Sequence, residues 1–384
     1  MKSIFTAGEL ARVGWNDHWA EWWEGQNRAT DAVPARIRRV DRGEVEIVEP
    51  DGDSRARTSP ADPERPRPDQ APITGDWAVV EPDVMSSPPS ADPQTGATSS
   101  PPSADPQTGA RSSGLDAALT SIAPRRTELR RRDPSVALGA QVLAANIDIV
   151  FVVEPLDRPI NQRRIERALV LAHDSRADPV VVLTKADAAI DDDPLPLVQA
   201  VAGGVSVFIT SAESGAGLDE LDRFLDPGST VTLFGQSGVG KSTLVNHLAG
   251  GDLQEIGDVR ARDRRGRHTT VTRDLIVLPT GAILVDTPGV RELGLWEAED
   301  GLDRAFPEIT ELTTQCRFAN CEHRDEPGCA VRAGVEDGTV PERRLASWLD
   351  LAAELDALTD QQEQHARTLE RRENYHSRRK ARRR

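Results

Sequence analysis

The apolar residues fall into three textures along the chain. Near the start, Trp15, Trp19 and Trp22 recur at i, i+4 and i+7, with Trp23 beside them. That spacing puts three indoles on one helical face and predicts a helix packed against the domain that follows. From position 32, AVPARIRRV and EVEIV flank a polar turn at Asp41-Arg42-Gly43, which predicts two short strands. A polar, Pro-rich interval then runs to about Pro72, and GDWAVVE predicts another strand. Short strands broken by turns point to a small β-domain, a barrel. Inside it, SSPPSADPQTGA at 86–97 repeats identically at 99–110. Such sequence has too little apolar surface to order itself, so 86–113 is expected to be a disordered insertion.

The second texture begins near residue 140. NIDIVFVVEP, PVVVL, VSVFITS, VTLF and the two halves of LIVLPTGAILVD are apolar runs without alternation. Helical stretches at 161–173, at 218–225 and after VTLF separate them. Buried strands divided by helices predict a mostly parallel sheet covered on both faces. The third texture starts at about 298, with small helical segments and then a long charged helix over about 341–374.

Length adds little: 384 residues suit two or three domains. No run approaches the roughly 18 apolar residues of a membrane span. Met1 to Ala20 carries Glu9, Asp17 and His18 where a secretory leader would be apolar. A cytoplasmic protein with no membrane partner is expected. Charge adds more. The net value is −16, yet the last fourteen residues hold eight Arg or Lys against one Glu, leaving −23 on the rest. A basic tail on an acidic body can meet a nucleic-acid backbone at one place and be repelled elsewhere.

The candidate chemistry lies in short motifs. Residues 235–242 read G-Q-S-G-V-G-K-S between the strand VTLF and a helix, the context a phosphate loop requires. Gly235, Gly238 and Gly240 let the backbone turn so that its N–H groups, those of Gln236, Ser237 and Val239 included, face phosphate. Lys241 is expected to reach the β- and γ-phosphates and Ser242 to ligate Mg²⁺, with Thr243 continuing the helix. Asp286-Thr287-Pro288-Gly289 follows the strand GAILV. Asp286 suits the water shell of the metal there, and Gly289 can sense the γ-phosphate through its N–H. Between them ARDRRGRHTTVTRD is a candidate mobile switch that offers Thr269 or Thr270 to the metal.

Thr184-Lys185-Ala186-Asp187 follows PVVVL. The Asp187 carboxylate can accept both guanine N1–H and the exocyclic amine, a donor pair adenine lacks. Lys185 would pack along the ring, and Ser211-Ala212 would present backbone N–H to guanine O6. The expected ligand is therefore GTP or GDP. Thr184 stands where such motifs carry Asn and is expected to keep part of that hydrogen bonding.

All three cysteines fall in C-R-F-A-N-C-E-H-R-D-E-P-G-C. Three cysteines are no disulfide scaffold. Cys316, Cys321, His323 and Cys329 instead complete a four-ligand structural zinc set, one ion per chain, with no position left open for catalysis. The ion would pin a small domain short of apolar core. His173 and His247 are expected on helix surfaces and not as ligands.

Along the chain the motifs run TKAD at 184, SA at 211, GQSGVGKS at 235, GRHTT at 266 and DTPG at 286. Ordinary GTPases begin with the phosphate loop. This circularly permuted order, with a β-domain ahead and a cysteine cluster behind, resembles the ribosome small subunit-dependent GTPases over roughly 30–374, the insertion apart. APRRTELRRR at 123–132 and QVLAANIDIVFVV at 141–153 support the likeness. The resemblance implies a multidomain chain: a helical extension (1–30), an OB-like β-barrel (31–134), a circularly permuted α/β P-loop GTPase domain (135–297), a helical zinc-binding domain (298–374) and a basic tail (375–384). It implies a GTP hydrolase of late small (30S) subunit assembly, stimulated by that subunit. Contact with 16S rRNA would run through barrel, zinc domain and tail. A monomer with no DNA partner is expected.

Val290 stands where many GTPases carry the Gln that orients water. In the resembled family the proposed substitute is the switch histidine, here His268; a structural role or an RNA contact for His268 is the alternative. The second functional reading is a zinc-containing RNA-binding GTP sensor with negligible turnover. Because the residues after Gly289 lead into the C-terminal domain, a γ-phosphate-dependent movement could pass straight to it.

Overall fold

The computed structural model describes residues 8–60, 70–83, 117–132, 140–251, 274–286 and 294–381. A 3-10 turn (Gly8–Val13) and helix α1 (Asp17–Glu24) open it. Asn16 caps α1 by accepting the N–H of Trp19 at 3.3 Å. Trp15 lies ahead of the helix, so the indole face is shorter than the spacing predicts. Trp15 and Trp19 both meet Trp77, at centroid separations of 5.1 and 5.7 Å. These indoles are packing residues.

Strands β1 (Val33–Val40), β2 (Glu44–Glu49), β3 (Gly52–Arg57), β4 (Trp77–Pro82) and β5 (Ala117–Ile122) close into a barrel in the order β1-β2-β3-β5-β4. Alternate residues point inward, among them Ile37, Ile47, Val80 and Leu119, and fill a core of their own. Strand β3 lies in the interval that the pattern reads as a polar loop. Of its six residues, GDSRAR, only Ala56 is buried, so its apolar signal is one methyl. The repeated insertion lies outside the described residues, between β4 and β5.

A hairpin of β6 (Glu128–Arg132) and β7 (Ala140–Ala145) follows as a separate sheet. The expected seam at 134/135 falls between its strands, and Leu129 and Leu143 belong to the core under the central sheet. That sheet contains β8 (Ile149–Pro155), β9 (Asp178–Thr184), β10 (Val207–Ile209), β11 (Thr230–Phe234), β12 (Asp274–Val277) and β13 (Ile283–Asp286). Their spatial order is β10-β9-β8-β11-β13-β12, parallel throughout except for β12. The chain enters at β8 in mid-sheet, builds out to β10, then returns to the other side of β8 as β11. The strand order thus reverses between β8 and β11, the place where parallel sheets of this kind bind ligands at the carboxyl ends of their strands.

Helices α2 (Gln162–Asp174) and α4 (Lys241–Leu248) cover opposite faces, with α3 (Leu195–Gln199) near α2. The helix expected at 218–225 is a 3-10 segment, Asp219–Phe224. Helices α5 (Glu299–Ala305), α6 (Pro307–Thr313), α7 (Ala330–Glu336) and α8 (Glu342–Ala381) complete the chain. Leu302, Phe306, Val331, Leu345 and Leu355 share one apolar core with α2. Gly301 is where α5 crosses α2, and an added Cβ there would run into the Val170 carbonyl oxygen. The backbone of α8 continues past the expected end at 374 to Ala381, so helix extends into the basic tail.

Candidate nucleotide site and metal centre

The candidate site is built at three strand ends. Strand β11 delivers Gly235, whose Cβ position would lie 2.5 Å from Val153 O, so only glycine lets the loop start this close to β8. Gly238 and Gly240 follow with φ of +79° and +98°, and α4 begins at Lys241. Val239 is fully buried among the apolar residues under α4 and anchors the loop from below. Gln236, Ser237, Ser242 and Thr243 are exposed. The Lys241 ammonium donates to Gly235 O and Gln236 O, each at 2.7 Å, which holds it along the loop.

Strand β9 delivers the second element. Thr184 Oγ1 donates to Val239 O at 2.5 Å, and Lys185 Nζ donates to Gly238 O at 2.8 Å. Two successive side chains thus grip two successive carbonyls of the phosphate loop. Lys185 adopts a left-handed conformation with φ of +59°. Strand β10 delivers the third element. The buried Ser211 hydroxyl donates to the exposed Asp187 carboxylate and accepts from Ser214 N–H at 3.2 Å, and Ala212 follows half-buried. The structure therefore brings Thr184 and Lys185 to the loop that carries Lys241, and Ser211 to Asp187. Asp286 ends β13, one residue past the Thr232–Val285 pair, at the same sheet end. His268, Thr269, Thr270 and Gly289 lie outside the described residues.

Two carboxylates at the end of β8 escaped the sequence reading. Glu154 is buried and bonded to Arg164 Nη1 at 3.1 Å; burial raises its pKa and Arg164 opposes the rise. Asp157 accepts from Arg158 Nε at 2.8 Å and Lys185 Nζ at 2.6 Å. Those two bonds, that of Arg158 foremost, hold Asp157 down at about 2. The available signal was position: both acids close an apolar strand at the ligand-binding edge of a parallel sheet.

The cysteine cluster forms a compact four-donor set. The sulfur and nitrogen atoms of Cys316, Cys321, His323 and Cys329 all lie within 4.8 Å of one another. Cys316 Sγ is 3.9 Å from Cys329 Sγ and 3.6 Å from His323 Nδ1, and Cys329 Sγ is 3.4 Å from that nitrogen. A tetrahedral zinc site has S–S edges of about 3.8 Å and S–N edges of about 3.5 Å, so the set fits the ion. Cys329 also caps α7, accepting from Arg332 N–H at 3.4 Å. Burial alone would raise the Cys316 thiol, but the Val331 and Ala330 amides at the start of α7 bring it below the ordinary value. His323 is buried, left-handed at φ of +58°, and stacked edge-on against Trp348 of α8 at 5.4 Å. His173 corrects an expectation: it is half-buried, with both ring nitrogens buried and without a hydrogen-bond partner, because α5 covers the end of α2.

A family model described as RsgA GTPase matches residues 122–296. The "Small ribosomal subunit biogenesis GTPase RsgA" of Streptomyces coelicolor is 40% identical over 351 residues, covering 90% of this chain and 86% of the relative. The chain belongs to the RsgA family of GTPases. A second RsgA, from Syntrophotalea carbinolica, is 38% identical over 372 residues and is covered to 94%, as is this chain. Two solved structures share the family's fold. YjeQ from Thermotoga maritima matches with a TM-score of 0.56 at 24% identity, over 84% of this chain and 98% of that one. YloQ, titled a circularly permuted GTPase, matches at 0.56 and 21% identity, over 86% and 98%. No helix among the described residues is long and apolar enough to cross a membrane.

Proposed function

We propose that this chain is a cytoplasmic, monomeric GTP hydrolase that acts in late maturation of the small ribosomal subunit; its relatives carry the name small ribosomal subunit biogenesis GTPase. One observation carries the nucleotide assignment: Thr184 and Lys185 bond to Val239 and Gly238, which joins the base-reading strand ends to the phosphate loop. One nucleotide can then span both elements. Asp187 reads the guanine edge, with Ser211 orienting its carboxylate and the Ala212 backbone beside it. Gly235 to Gly240 present amides to the phosphates, Lys241 neutralises them, and Thr243 continues the supporting turn. Ser242, exposed at the first turn of α4, and Thr269 or Thr270 would ligate Mg²⁺, Asp286 would hold its water shell, and the Gly289 N–H would sense the γ-phosphate. That ion offsets charge on the phosphate oxygens. Cys316, Cys321, His323 and Cys329 would hold one zinc ion, which crosslinks the loop ahead of α7.

His268 is the proposed group that positions water. The barrel, the zinc domain and the tail are the proposed contacts with 16S rRNA; of the expected ranges 1–30, 31–134, 135–297, 298–374 and 375–384, the second gives up the β6–β7 hairpin to the third, and the helix of the fourth runs into the fifth. The sequence feature favouring the second reading, a GTP sensor with negligible turnover, is Val290. Phosphate release from GTP, measured with and without purified small subunits, separates the two. The hydrolase reading expects slow turnover alone and a clear rise with subunits; no release in either case leaves the sensor. Co-sedimentation with the small subunit under a non-hydrolysable GTP analogue tests the ribosomal assignment itself.

A further inference from the structure

We propose that Asp157 is a positioning residue of the nucleotide site: it fixes Lys185 in the orientation that supports the base. This rests on the guanine-nucleotide reading above. Lys185 is the residue whose stem would lie along the base, and its conformation is not one the chain adopts freely. At φ of +59° it sits in the left-handed region, which a side chain with a Cβ occupies only when its surroundings over-determine it. Two partners do so. Gly238 O takes one ammonium N–H at 2.8 Å from the phosphate-loop side, and Asp157 Oδ2 takes another at 2.6 Å from the end of β8. The carboxylate is itself held: Arg158 Nε donates to its other oxygen at 2.8 Å.

The backbone makes the same connection. Leu156 N–H donates to Thr184 O at 2.9 Å, and Ile190 N–H donates to Leu156 O at 3.1 Å. Asp157 therefore stands beside a strap that ties β8 to the segment carrying Thr184–Asp187. Thr184 supplies one hydroxyl hydrogen bond to the loop. A threonine hydroxyl offers one donor, where an asparagine amide would offer two. Asp157 supplies a second, charged anchor for the same segment from a different strand. Its Lys185 pair is partly open to water, with side-chain exposures of 31% and 27%, so its effect is moderate.

The test uses the full-length protein and fluorescent guanine nucleotides. Asp157→Asn keeps the shape and removes the charge, and about a fivefold rise in Kd is expected for GDP and for GTP alike. The factor is shared because both nucleotides carry the base; a damaged phosphate loop would penalise GTP more. Asp157→Glu is expected to recover most of the affinity. In a Lys185→Ala background, Asp157→Asn is expected to add less than about twofold, since the group it positions is gone. A Kd within about twofold of the parent for Asp157→Asn overturns the proposal. So does an undiminished loss in the Lys185→Ala background. If the parent protein itself shows no preference for guanine over adenine nucleotides, the reading of the site fails instead.

Discussion

The central sheet is joined to the rest of the chain in two different ways. Towards the C-terminus there is no seam: residues of α5, α6, α7 and α8 lie in the same apolar core as α2 and β9. A buried ion cluster is set into that joint. Glu166 of α2, fully buried, accepts from Arg343 at 2.6 Å, Arg344 at 2.9 Å and Ser347 at 2.7 Å, while Arg344 also bonds Glu308 at 2.6 Å. Towards the N-terminus the barrel keeps its own core. It meets the sheet through a small indole cluster and through Arg36, which reaches Thr230 Oγ1 at 2.8 Å and Asn146 O at 3.4 Å. The difference separates two kinds of domain. The barrel has an apolar core of its own, whereas the cysteine-cluster segment shares its interior with the nucleotide-binding domain. A nucleotide-driven shift of α2 would therefore carry the cysteine-cluster region with it as one body, and the barrel would follow only through the small indole cluster and the Arg36 contacts.

The largest test of this contrast is loss of the proposed zinc ion. With zinc held by Cys316, Cys321, His323 and Cys329 as proposed, Cys329→Ser or a chelator removes a tetrahedral crosslink at the start of α7. The continuity of the core then passes the damage to the central sheet. A fall in thermal midpoint on the order of 10 °C is expected in the helix signal. Five of the seven tryptophans, Trp15, Trp19, Trp22, Trp23 and Trp77, lie in or against the barrel, so fluorescence should report a second transition that moves much less. Identical shifts in both signals would mean that the barrel is not independent.

These joints differ in how far they could be read from the sequence. The phosphate loop was legible because it demands special backbone at fixed spacing: glycines at positive φ, then a lysine opening a helix; the Thr184–Asp187 turn was legible as a short motif closing an apolar strand. The four-donor cluster was legible because Cys316, Cys321, His323 and Cys329 sit within fourteen residues. Glu166 was not. Its partners lie 177 to 181 positions away, and in isolation it is one more charge on an amphipathic helix. Strand β3 and the β6–β7 hairpin were hidden for a related reason: GDSRAR and ELRRR bury one side chain each, and their other residues read as solvated loop. Sequence pattern reports on residues that bury their own face. It is silent where a polar group is satisfied by a distant part of the chain.

A matched pair of substitutions sharpens the contrast at intermediate size. Arg344→Met leaves the buried Glu166 short of one of its cations, and removing one partner of a buried pair costs about 3 kcal/mol. Arg36→Met removes a cation whose partners are a hydroxyl and carbonyl groups. Burial already pulls the Arg36 pKa down to about 10, with Asp148 and Asp76 opposing, so part of what its hydrogen bonds contribute is offset. The expected loss is about 1 kcal/mol. Denaturant unfolding measures both, and a larger loss for Arg36→Met would reverse the ranking of the two joints.

The smallest effect probes the charge balance where α2 meets α5. Asp174 ends α2 beside Gly301, and burial there raises its carboxyl from 3.8 to about 6. Arg130 opposes the rise, Glu299 and Asp300 add to it, and Arg176 opposes it more weakly. Between those two values the folded chain retains a proton that the unfolded chain has lost. Stability from this group is therefore complete below about 4, declines as pH rises towards 6, and stays at its lower level beyond. Asp174→Asn carries no such penalty. Its expected gain is about 1 kcal/mol at pH 7, after allowance for solvent screening of a partly exposed carboxyl, and close to zero at pH 4. Neighbouring His173, drawn down to about 4 by burial and by Arg304, titrates in both proteins and cancels in their difference. Unfolding of the pair at pH 4, 5, 6 and 7 checks the slope. A gain of equal size at every pH would assign the effect to the shape of the side chain, and the α2–α5 joint would then be set by packing at Gly301 alone.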